Sequence, residues 1–216
     1  MSIRIKVVLL GDSGVGKTSI AQRFALNKFN PNNISSHGAG FISRLLEIPE
    51  LQTSVTFRIW DTAGQERYQS MASLYYQDAA AALLVYDVTN KKSFEGVKRW
   101  VKQLKEKGRE DVLIVLLGNK MDLVGEEEVD MLEVQEFADE IKAKVVAVSA
   151  KGNINIESAF SNIAIDLYKR ETLISDEVTN NDLIDSTKTT TKSPRKNSVK
   201  ISKIREIKKK TRNKCC

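Results

Sequence analysis

The sequence predicts an α/β domain: a six-stranded, mostly parallel sheet with one antiparallel edge strand and helices on both faces. Three observations lead there. Strand-like apolar runs alternate with helix-periodic segments over residues 1–170. A stretch matching G-x-x-x-x-G-K-[ST] separates the first run from the first helix. Two further polar motifs each follow a strand-like run directly, and open α/β sheets gather their ligands at the carboxyl ends of strands.

Ile5-Lys6-Val7-Val8-Leu9-Leu10 reads as a buried strand within 3–10, followed by a helix over 16–26. Strand-like runs near 41–48 and 54–60 are joined by a short loop around Pro49-Glu50, which predicts an antiparallel hairpin. A helix is expected over 68–77 and a strand over 81–87. The helix over 91–107 carries Phe94, Val97, Val101 and Leu104 at helical spacing. A strand over 112–118, a helix over 130–141, a strand over 144–149 and a helix over 154–170 complete the domain. In the last helix Phe160, Ile163, Ala164 and Leu167 form the apolar stripe.

The glycine-rich stretch is Gly11-Asp12-Ser13-Gly14-Val15-Gly16-Lys17-Thr18. Glycines let the backbone curl so that N–H groups from Ser13, Gly14, Val15 and Gly16 through Ser19 turn toward phosphate oxygens. The positive end of the following helix adds to their pull. Lys17 would reach the terminal phosphates, and the Thr18 hydroxyl would ligate Mg²⁺. Asp61 ends a strand-like run beside the phosphates, where a carboxylate can hold the metal through a bound water, and the unhindered Gly64 N–H can meet a γ-phosphate. Asn119-Lys120-Met121-Asp122 follows the run from Val112 to Leu117. An Asp122 carboxylate accepts two hydrogen bonds from guanine's ring N–H and exocyclic amine, a pair adenine lacks. Ser149-Ala150-Lys151 ends the run from Val145 to Val148 and can buttress the base from the other side.

With these residues in place, the chain resembles a Ras-superfamily small GTPase of the Rab family over roughly residues 4 to 170. Trp60-Asp61-Thr62-Ala63-Gly64-Gln65-Glu66-Arg67-Tyr68 is similar to the Rab switch II signature. Leu74-Tyr75-Tyr76, Leu84-Val85-Tyr86-Asp87-Val88-Thr89 and the terminal Cys215-Cys216 continue the match. Gly38-Ala39-Gly40-Phe41 with Glu66-Arg67-Tyr68 leans toward the early-endosomal branch.

The resemblance implies a P-loop small G domain that binds GTP or GDP with Mg²⁺ and switches between the two states. Gln65 would orient the attacking water. No built-in arginine finger is evident, Arg67 reading as a surface switch residue, so hydrolysis should be slow, on the order of 10⁻⁴ to 10⁻³ s⁻¹, until a partner supplies one. Phe29 matches the ring that stacks on the guanine edge; packing beneath the loop is the other reading. The family's metal-binding threonine falls at Ser36, which keeps the hydroxyl but loses the methyl that restricts its rotamers. His37, the only histidine, stands where the family has isoleucine. It is either a tolerated change that narrows effector choice or a group that favours acidic effectors below about pH 6.5. His37, Gly38, Phe41, Trp60, Tyr68 and Tyr75 are the expected effector and switch residues. Exchange factors, activating proteins, a GDP-dissociation inhibitor, a prenylation escort and effectors are the expected partners. A monomer acting in vesicle trafficking is expected, on the cytoplasmic face of endomembranes, endosomes among them, and cycling through the cytosol. The alternative is a nucleotide-bound scaffold that no longer switches, which rests on Ser36 and His37.

Charge assigns the remainder. The formal net charge is +6, yet residues 1–170 hold 22 basic and 22 acidic side chains. Residues 171–187 hold five acids and no base, and residues 188–216 carry a net +11. A neutral domain over 1–170 and a hypervariable, largely disordered tail over 171–216, basic from 188, point to an anionic membrane surface and away from nucleic acid. Both cysteines are the last two residues, where a disulfide would be strained, and a reducing cytosol is expected. By resemblance Cys215 and Cys216 would each carry a lipid. No signal peptide or apolar stretch of membrane-spanning length is evident in the sequence. Val199, Ile201, Ile204 and Ile207 either form an apolar stripe in the tail or are scattered along a solvated spacer.

Overall fold

A computed structural model describes residues 3–32, 40–62 and 75–181, with side chains up to residue 172. The elements run β1 (Ile3–Leu10), α1 (Lys17–Leu26), β2 (Gly40–Ile48), β3 (Thr53–Asp61), β4 (Ala81–Asp87), α2 (Lys91–Lys107), β5 (Leu113–Asn119), α3 (Met131–Ile141), β6 (Lys144–Ala147) and α4 (Ile156–Asn181). The helix expected over 68–77 lies outside the described residues apart from its end at Tyr75 and Tyr76.

The six strands form one sheet in the order β2-β3-β1-β4-β5-β6. All neighbours are parallel except β2 and β3, whose register runs from Gly40 opposite Asp61 to Ile48 opposite Thr53. The edge strand is therefore the antiparallel one, as expected. Pro49–Leu51 turns the hairpin as a short 3-10 helix, with Gln52 in the left-handed region at φ 50°.

Side-chain alternation on β1 divides the interior. Ile5, Val7 and Leu9 face a cluster with Ile20 and Phe24 of α1 and with Phe160, Ile163 and Ala164 of α4. Val8 and Leu10 face a second cluster with Phe94, Val97, Trp100 and Leu104 of α2 and with Val134, Ala138 and Ile141 of α3. β4 and β5, covered on both faces, are buried at every position, which is why they read as unbroken apolar runs. Phe24 stacks on Phe160 at 3.8 Å between ring centroids, and Phe57 meets both rings edge-on. That triple ties α1, α4 and β3 together under the glycine-rich loop.

Two elements end two residues or more from where they were expected. β6 stops at Ala147, because Ser149 leaves the sheet to exchange hydrogen bonds with Ile154 across a tight turn. α4 runs on to Asn181, well past the expected end at 170. Residues 171–181 contain neither glycine nor proline, so nothing breaks the helix where the acidic composition begins. Among the described residues no helix is long and apolar enough to cross a membrane.

Candidate functional site

Every strand whose end carries a motif finishes at the same edge of the sheet, and the loops beyond those ends line one open cleft of about 310 Å³. Ser13, Gly14, Gly16, Lys17, Thr18 and Ser19 supply one end of its wall, and Asn119, Lys120, Asp122, Ala150 and Lys151 the other. Phe29 lies between them, half-buried, packing on the core and lining the cleft at once. Val15 is the exception in its loop: its side chain is a core residue, so only its backbone takes part.

At the glycine-rich end, Gly16 precedes α1 as its N-cap in the left-handed region, φ 97°, without a side-chain cap bond. Lys17 is 5% exposed and donates from Nζ to the Asp12 carbonyl at 2.7 Å. Burial pushes its ammonium down to about 8, with Asp61 and Asp12 pulling the other way. An anion in the cleft would strengthen the charged form. Thr18 donates from Oγ1 to Asp61 Oδ2 at 2.5 Å. Asp61 is buried, its carboxyl pushed up by desolvation against the hydrogen bond from Thr18 and the charge of Lys17, and its Oδ1 has no hydrogen-bond partner among the described residues. A partly buried hydroxyl beside a buried carboxylate with one oxygen unpartnered among the described residues is a donor set suited to a hard divalent cation.

At the other end, Asn119 is 2% exposed and joins three motifs. Its Nδ2 donates to the Val15 carbonyl at 2.8 Å, and its Oδ1 accepts from the Ala150 N–H at 3.1 Å. Gly16 makes room for it: a Cβ there would stand 2.3 Å from Asn119 Nδ2. Ser149, fully buried, donates to Asp122 Oδ1 at 2.5 Å and accepts from the Gly152 N–H at 2.7 Å. Lys151 stands 3.8 Å from Asp122 Oδ2. Lys120 adopts a left-handed backbone, φ 69°, and pairs with Asp87 Oδ2 at 2.5 Å.

These last contacts include residues that motif reading passed over. Asp87 anchors Lys120, and Arg23 donates to the carbonyls of Ala150 at 2.8 Å and Lys151 at 3.2 Å. Thr62 ties the end of β3 to the Leu9 carbonyl at 2.7 Å. Asn30, Pro31 and Leu123 add to the cleft wall. Asp87 had a sequence signal in its place at a strand's end; Arg23 had none. Ser36, Gly64 and Gln65 lie outside the described residues, as do His37, Gly38, Tyr68, Cys215 and Cys216.

The Ras family model matches residues 6–169. The chain is 47% identical to the Ras-related protein Rab-31 of Rattus norvegicus over 165 residues, which are 76% of this chain and 84% of that protein. It is 43% identical to Rab-22A of Homo sapiens over 166 residues, with the same two shares. It is 40% identical to Rab11A of Lotus japonicus over 175 residues, 80% of this chain and 76% of that one.

The chain belongs to the Rab family of small GTPases.

As a Rab-type GTPase it binds GTP and GDP, hydrolyses the first to the second, and serves vesicle trafficking. The likeness to Rab-31 and Rab-22A agrees with the lean toward the early-endosomal branch and with association with endomembranes. It favours the switch over the inert scaffold. Exchange factors, activating proteins, a dissociation inhibitor and effectors are the partners such a Rab has in general.

The expected effector residues within the described chain lie apart from the cleft. Phe41, on the edge strand, is 50% exposed and meets Trp60 at 5.2 Å between centroids; Trp60 meets Tyr75 at 5.2 Å. Arg58 covers the Phe41 ring at 5.4 Å and Lys6 the Trp60 ring at 5.7 Å. Among the described residues the buried Trp60 indole N–H finds no acceptor.

Proposed function

We propose that the cleft holds a guanine nucleotide with its phosphates on Lys17 and the loop N–H groups and its base against Asp122. The observation that carries this reading is one continuous cleft with Lys17 and Thr18 at one end and a braced Asp122 carboxylate at the other. Phe29 covers an edge of the base, and Ala150 and Lys151 close its other side. Mg²⁺ fits the Thr18–Asp61 pair, whose unpartnered Oδ1 it would engage through water, with Ser36 as a further ligand. When bound, the ion neutralises charge on the β- and γ-phosphates.

The residues of the chain do the rest. Lys17 and the loop amides hold the terminal phosphate in line, and Gln65 turns a water so that its oxygen meets the γ-phosphorus as the bond to the β-bridging oxygen breaks. Intrinsic turnover is on the order of 10⁻⁴ to 10⁻³ s⁻¹, and an activating protein supplies the missing cation. Gln65→Leu should leave nucleotide affinity nearly unchanged while single-turnover hydrolysis slows by about tenfold or more, because leucine packs similarly but cannot align water. Wild-type hydrolysis rates in that variant, with and without an activating protein, would assign the water to another residue.

The tilted rings of Phe41, Trp60 and Tyr75 form the described part of an effector face, and Gly38, His37 and Tyr68 are assigned to the same role by their family positions in the sequence. The G domain ends near residue 170, and the basic segment from 188 carries Cys215 and Cys216 to a prenylation escort. Two lipid chains give stable anchoring where one alone is marginal, and the +11 segment adds attraction to acidic headgroups. The protein then works on the cytoplasmic face of endosomal membranes and returns to the cytosol with its dissociation inhibitor. Serine at both cysteines should shift the whole population to the soluble fraction. A double variant that still sediments with vesicles would rule out lipid as the anchor.

A further inference from the structure

Asp12 fills one of the unspecified positions of the phosphate loop, and binding phosphate gives no reason for a carboxylate there. Its side chain engages α2 instead. The Trp100 indole N–H donates to Asp12 Oδ1 at 3.0 Å, and the Arg99 guanidinium donates to Oδ2 at 2.9 Å. Its main-chain carbonyl, meanwhile, accepts from Lys17 Nζ at 2.7 Å. One residue is thus joined to a helix through its side chain and to the phosphate-reaching lysine through its backbone.

The helix is built to receive it. Trp100 is 1% exposed and sits in the core cluster with Val97 and Leu104, so its indole is a fixed point. One turn earlier, Gly96 leaves an open slot: a Cβ at that position would stand 2.2 Å from Asp12 Oδ2. Any side chain there would displace the carboxylate. Of the two contacts, the Arg99 pair is largely in solvent and contributes little, whereas the half-buried indole bond to a charged acceptor is the stronger one.

We propose that Asp12 is a positioning residue that clamps the phosphate loop to α2, fixing the carbonyl on which Lys17 rests and thereby the lysine's hold on the terminal phosphates. This rests on the reading of Lys17 given above. The clamp acts on phosphates beyond the α-phosphate and leaves the base end of the cleft untouched, and that difference supplies the test.

Affinities for GDP and GMP are measured on the full chain by competition against a fluorescent nucleotide, in wild type, Asp12→Ala, Trp100→Phe, Asp12→Asn and Lys17→Ala. Asp12→Ala and Trp100→Phe should each weaken GDP by about 5- to 20-fold and GMP by less than about twofold. Asp12→Asn keeps an acceptor for the indole and should restore most of the loss. Trp100→Phe retains the aromatic packing, so a result remains if Asp12→Ala does not fold. Parallel losses for GDP and GMP, or wild-type GDP affinity in both clamp variants, would overturn the proposal. If Lys17→Ala itself fails to separate GDP from GMP, the reading of Lys17 falls and the clamp with it. If Lys17→Ala separates them and the clamp variants do not, only the clamp falls.

Discussion

Asp122→Asn should weaken guanine nucleotides on the order of 10⁴-fold and make xanthine nucleotides the better ligands. The carboxylate is already braced, Oδ1 by the Ser149 hydroxyl and Oδ2 facing Lys151, so the variant changes chemistry without freeing the side chain. A carboxylate offers two acceptors to guanine's ring N–H and amine. A carboxamide offers one acceptor and one N–H, which opposes the amine and matches the oxygen that xanthine carries instead. Competition binding of GDP and XDP checks it. A variant that still prefers guanine by the wild-type margin would mean that Asp122 does not read the base.

Asn119→Ala should destabilise the protein by roughly 2 to 6 kcal/mol and speed nucleotide release by about 10²-fold. Alanine strips the Val15 carbonyl and the Ala150 N–H of the partner each has here, both in a buried setting. A buried polar group left unmade costs about 1 to 3 kcal/mol. The two ends of the cleft would then lose their direct side-chain tie, leaving the Arg23 bonds to Ala150 and Lys151 and the sheet beneath to join them. Gly16→Ala attacks the same joint from the other side, since its Cβ would collide with Asn119 Nδ2 in a left-handed backbone at φ 97°. Thermal melting and nucleotide release, measured on both variants, check the pair of effects. Lowered melting with unchanged release would leave Asn119 a fold residue alone.

The parts of this molecule that sequence reading reached are those with a local signature. The glycine-rich loop, the Asn119–Asp122 motif and Ser149–Lys151 each follow a strand in the chain and so end up along one edge of the sheet. The hairpin around Pro49 was readable for the same reason. What stayed hidden are polar contacts between residues far apart in the chain, which leave no periodic trace. Arg23 bonds the Ala150 carbonyl across 127 positions, and Trp100 bonds Asp12 across 88. Asn119 could be placed by its motif, but not its grip on Val15, 104 positions away. The overrun of α4 escaped because charge composition changes at 171 while no glycine or proline marks a helix end there.

The strand order has a consequence for how the protein is made. β1 precedes the other five strands in the chain yet lies between β3 and β4, so its second neighbour arrives only after residue 81 has been synthesised. Until then the phosphate loop hangs from a three-stranded sheet with one long unpaired edge, exposed to other chains. The Asn119 side chain that secures Val15 comes a hundred residues later, and Ala150, its second partner, later still. A growing chain therefore carries its phosphate loop through most of synthesis before the base end of the cleft exists. Nascent chains halted before Ser149 should fail to retain nucleotide, while chains long enough to bring α4 clear of the ribosome should hold it. For this fold, capture of the first nucleotide waits on the last strand of the sheet and the loop that follows it.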